Sequence, residues 1–77
     1  MISQNVINNH TPSPFNIIGV EKADLGAIEE AIRYFTEAIE INPEDPVAYF
    51  NRATLRMRIG DIQGARSDFR YVSKLDD

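Results

Sequence analysis

A single offset of 34 residues maps one half of this chain onto the other. Phe15 answers to Tyr49, Gly26 to Gly60, Ile28 to Ile62, Ala31 to Ala65, Phe35 to Phe69 and Ile41 to Leu75. Six pairs in one register mark a duplicated supersecondary unit. Such a unit cannot bury its apolar face alone and must stack on a neighbour. Local signals agree between the copies. Ser13-Pro14 and Asp45-Pro46 are helix starts, because a Ser or Asp oxygen accepts from the first free amides and proline costs nothing in the first turn. Gly26 breaks the first helix, Gly60 suits the left-handed residue that closes the third, and Asn42-Pro43 stops the second. The spacing predicts helices over residues 14–23 or 24, 27–41, 46–59 and 62–75, the last capped by Asp61.

The second helix carries Ile28, Ala31, Phe35 and Ala38 at helical spacing, widened by Ile32 and Ile39, and the fourth nearly copies it with Ile62, Ala65, Phe69 and Val72. Phe15, Ile18 and Lys22 share a face of the first helix, where Gly19 lets a neighbour come close; Tyr49, Ala53 and Met57 are expected on the inward side of the third. Glu29 and Glu30 sit where a helix dipole favours negative charge. Connections this short make consecutive helices antiparallel neighbours. The expected fold is all-α: two tandem helix-turn-helix hairpins over residues 12–77, divided into units 12–45 and 46–77. Residues 1–11, rich in Asn, Gln, Ser and Thr, are expected to be a flexible lead-in.

Composition narrows the functions. A net charge of −4 disfavours attachment to phosphate backbones. With no cysteine there is neither a disulfide framework nor a Cys-based zinc site. The N-terminal stretch lacks lysine and arginine, and no apolar run reaches the ~20 residues that span a bilayer. A cytoplasmic protein without membrane attachment is the expectation. Asn9-His10-Thr11 is formally a glycosylation acceptor, read as chance. His10, the sole histidine, has no partner for catalysis, and Glu29, Glu30, Glu37 and Glu40 read as a solvated face. No catalytic residue, cofactor or metal is therefore expected. Arg52 and Arg56 share a face, as do Arg66 and Arg70, with Tyr49, Phe50 and Tyr71 nearby. Nucleic-acid binders use such mixtures, but interleaved aspartates favour an acidic peptide, or the acidic half of another copy, instead.

The duplicated unit resembles the tetratricopeptide repeat, whose known period and pattern it matches. Phe15, Ile18-Gly19, Ala31, Phe35 and Pro43 stand at the family's large, apolar-glycine, alanine, aromatic and proline positions; Tyr49, Arg52-Ala53, Ala65 and Phe69 follow in the second unit. Lys22 and Arg56 replace a tyrosine, Arg52 a leucine and Asp77 a proline, departures expected to weaken the seam within a repeat. The resemblance implies a short right-handed superhelix whose concave groove, built from the first helix of each pair, binds a partner protein or peptide. Asn16, Val20 and Ala23 of the first helix are the groove-facing candidates there. Phe50, Asn51, Thr54, Met57 and Arg58 are those of the third. Asn51 matches an asparagine that holds a peptide's terminal carboxylate in chaperone-binding relatives. Asn16 and Val20 stand where that clamp needs lysine and asparagine, so the same ligand is not implied.

Two units fall short of the roughly three that stacked repeats need. Phe69, Val72 and Leu75 are expected to leave an apolar face open, and a second copy to cover it in a homo-oligomer, expected as a dimer. The acidic first unit and basic second unit favour an antiparallel meeting. Rival covers are the lead-in, through Ile2, Val6 and Ile7, and a foreign protein.

Overall fold

The computed structural model of the chain describes residues 13–76, and the readings made above for residues 1–11, including His10, lie outside that range. The described residues form four helices and no strand: α1 (Pro14–Asp24), α2 (Ile28–Ile41), α3 (Pro46–Arg58) and α4 (Ile62–Asp76).

Each start and stop has its chemical reason. Ser13 Oγ accepts from the Phe15 amide at 3.2 Å, Asp45 Oδ1 from Val47 at 3.0 Å and Asp61 Oδ1 from Gly64 at 3.0 Å. Ala27, the residue before the helix, has no such oxygen, and α2 begins with its apolar stripe at Ile28, one residue after the expected start. Gly26 and Gly60 take positive φ (84° and 88°) and close α1 and α3 with the same pair of turn bonds. The Ala27 amide reaches back to the Lys22 carbonyl and that of Asp61 to Arg56, the helix stop that glycine permits.

Packing follows the order of the chain. α1 lies on α2, α2 on α3 and α3 on α4; α1 also touches α3, whereas among the described helices α4 meets α3 alone. Ala31, Ala38, Ala48, Ala53 and Ala65 are fully buried, which is why neighbouring helices come so close. Phe35 fills the space between them, 1% exposed, against Ala31 and Leu55. A Cβ at Gly19 would stand 2.7 Å from the Phe35 ring, so a backbone without a side chain is required there.

Met57, expected inward, is 50% exposed. Leu55 takes the interior place instead, because α3 must pack on α2 as well as on α4. Met57 lies nearly opposite Leu55, roughly 200° round at ~100° per residue.

Candidate functional site

Little more than one turn of α1 and one of α3 face one another across an open pocket of about 270 Å³. Asn16, Ile17 and Val20 come from α1, and Val47 and Asn51 from α3. Residues three or four apart share a helix face, so each helix contributes a short vertical row. Ile17, Val20 and Val47 are 52%, 44% and 53% exposed, which leaves three aliphatic walls in contact with solvent. Asn16 differs. It is only 4% exposed, its Nδ2 donates to Asp45 Oδ2 at 2.8 Å, and its buried Oδ1 has no hydrogen-bond partner. Asp45 thereby caps α3 with one oxygen and ties the α2–α3 loop to α1 with the other.

Of the residues expected to face the groove, the structure brings Asn16, Val20 and Asn51 to this pocket, although Asn16 sits inside the wall and not on its surface. Ala23 packs instead against the Ala31–Phe35–Leu55 cluster. Phe50 turns its ring edge-on to Phe69, with centroids 5.7 Å apart. The Thr54 hydroxyl donates back to the Phe50 carbonyl, while Met57 and Arg58 are exposed further along α3 and do not line the pocket. Ile17 and Val47 were absent from the expectation. Their positions one turn before Val20 and Asn51 were the available signal.

The second polar constellation is internal. Arg52 grips Asp68 through two bonds, Nε to Oδ2 at 2.9 Å and Nη2 to Oδ1 at 2.8 Å, and Arg56 adds a third at 3.1 Å. Arg52 Nη1 also donates to Thr36 Oγ1, so one guanidinium joins α2, α3 and α4. The seam expected to be weakened by Arg52 and Arg56 is instead closed by their pairing with buried Asp68. These two arginines are engaged within the fold and not free to meet an acidic partner. Beside them the Tyr49 and Tyr71 rings lie 4.4 Å apart, and burial, then the neighbouring Tyr71, pushes the Tyr49 phenol above its usual value. In the first unit the corresponding place is apolar, with Phe15 stacked on Tyr34 at 6.1 Å.

Among the described residues no group of three or more His, Asp or Glu side chains is placed to hold a metal, and no helix is long and apolar enough to cross a membrane.

Comparison with known proteins adds a sequence match. The family described as TPR repeat matches residues 19–60, from the middle of α1 through α3. Tetratricopeptide repeat protein 36 of Danio rerio is 35% identical over 57 residues, covering 74% of this chain and 30% of the relative. An uncharacterized protein of Methanocaldococcus jannaschii is 41% identical over 51 residues, 66% of this chain and 59% of the relative. Hsp70-Hsp90 organizing protein 2 of Arabidopsis thaliana is 40% identical over 47 residues, 61% and 8% respectively. The chain thus spans less than two thirds of the length of each of these relatives.

Proposed function

The chain belongs to the tetratricopeptide-repeat family, and from that premise we propose that it is an adaptor that holds a segment of a partner protein in the groove between α1 and α3. A protein–protein interaction module is the function common to such repeats. The open aliphatic pocket supports the finer reading, because Ile17, Val20 and Val47 are about half exposed with none of the described helices packed over them. Burying one such side chain against a partner is worth about 1.5–3 kcal/mol. The Arabidopsis relative is named for organising Hsp70 and Hsp90; what that lends to this chain is the type of task, bringing proteins together, not the identity of the partner. The absence of cysteine fits a cytoplasmic setting.

Glutamate at both Val20 and Val47 leaves the fold intact, since each side chain is about half in solvent. The double variant is expected to lose captured partners at least about tenfold in affinity, the equivalent of ~1.4 kcal/mol. Undiminished capture by a folded variant places the binding surface elsewhere.

Self-association is the second reading, favoured by one contrast. Phe35 and Phe69 occupy the same place in the 34-residue register, yet Phe35 is sealed while Phe69 is half-buried, alongside half-buried Val72 and Leu75. A second copy meeting this face would give a homodimer. Light scattering over a range of concentrations tests it: a constant monomer mass excludes it, and Val72→Glu with Leu75→Glu is expected to turn a dimer into monomers.

A further inference from the structure

We propose that the α1–α3 pocket takes an apolar side chain from a segment whose adjacent groups are N–H donors or cations, and that it turns away an anionic chain terminus. The proposal rests on the groove reading above and specifies the chemistry of its ligand.

Polarity at the pocket is set by one amide. If the Asn16 amide were turned over, its carbonyl oxygen would face the Asp45 carboxylate, acceptor against acceptor. The bond from Nδ2 to Asp45 Oδ2 at 2.8 Å therefore fixes the orientation. That bond engages one of the two Nδ2 hydrogens, while the acceptor Oδ1 is buried and unsatisfied. A buried acceptor left without a donor is costly, and a ligand N–H is what relieves it.

The charges around the pocket point the same way. No lysine or arginine lines it; its two polar members are amides. The carboxylate of Asp45 stands at the α3 start of the groove, with exposed Glu44 next to it in sequence. At the other end Asp24 lies seven residues beyond Ile17 and Arg58 seven beyond Asn51, so one charge offsets the other. An entering carboxylate would meet like charge at one end and no net compensation at the other. A lysine or a peptide N–H meets Asp45 and the free carbonyl oxygen favourably, while an attached aliphatic side chain fills the space between Ile17, Val20 and Val47.

The test titrates the isotope-labelled full chain with three synthetic peptides sharing a central leucine. In one the leucine is flanked by lysines and the C-terminus is amidated. Another is neutral and amidated, and the third is flanked by glutamates with a free C-terminal carboxylate. The lysine peptide is expected to shift the backbone amides of Ile17, Val20, Val47 and Asn51 and to bind at least ten times more tightly than the glutamate peptide. Asp45→Asn, which keeps a side chain suited to capping α3, is expected to narrow that ratio severalfold. Equal or tighter binding of the glutamate peptide at the same amides overturns the proposed chemistry and leaves the groove reading standing. An unchanged ratio in Asp45→Asn likewise overturns it. If no peptide shifts these amides, both readings fall together.

Discussion

Replacing Asp68 by alanine is expected to remove about 3–5 kcal/mol of stability, the usual cost of breaking a buried ion pair by taking away one member. The Arg52 side chain is 13% exposed and that of Asp68 5%, so the guanidinium left behind would be short of both water and counter-ion. Arg56, more exposed and within 3.6 Å of Asp61, can turn outward; Arg52 is held between helices. Against the ~5–15 kcal/mol of an ordinary domain, such a loss should leave the variant largely unfolded in modest urea, as followed by helical circular dichroism. The first unit supplies the matching control. Ile18 and Tyr34 stand where Arg52 and Asp68 stand 34 residues on. The double variant Arg52→Ile with Asp68→Tyr should therefore be far less damaging than the single one, because exchanging a whole buried pair for apolar groups is often neutral or stabilising. A loss below ~1 kcal/mol in Asp68→Ala would mean that Arg52 reaches water on its own.

The second large effect lies at Phe35. Phe35→Ala is expected to cost about 3–5 kcal/mol, the range for deleting a buried aromatic ring and leaving a cavity. Its counterpart Phe69→Ala should cost less, ~1–2 kcal/mol, because that ring is only half-buried and its main aromatic neighbour is Phe50. Unfolding midpoints of the two variants at low protein concentration measure the difference. Equal losses would contradict the asymmetry, whereas a Phe69 cost that grows with concentration would mean that another molecule seals this ring in solution.

Much of the fold could be read before any coordinates. Six matched pairs fixed the number of units, and Ser13, Asp45 and Asp61 announced helix starts through chemistry that does not depend on tertiary packing. The interior of α3 was harder. Its inward side depends on where α2 and α4 lie, and no periodicity within α3 alone distinguishes Leu55 from Met57. The Arg52–Asp68 pair was missed for a related reason: the two residues are 16 apart and carry no local signature. The trace was there in the register, since both positions depart from apolar or aromatic counterparts, Ile18 and Tyr34, and do so with opposite charge. At the pocket, family positions pointed to Val20 and Asn51 but also to Phe50, whose ring turns towards α4. Ile17 and Val47 became visible only once α1 and α3 were seen side by side.

That α4, among the described helices, lies against α3 alone has a kinetic consequence. Among the described helices, contacts join each to the next, with α1 against α3 as the one longer reach. Acquiring the native topology never requires remote parts of the polymer to find each other, so little loop-closure entropy stands in the way. Helical proteins dominated by near-neighbour contacts reach the folded state on the order of microseconds to milliseconds. Assembly here should be correspondingly quick, and the transient unfolding of the last helix need not dismantle the α1–α3 surface.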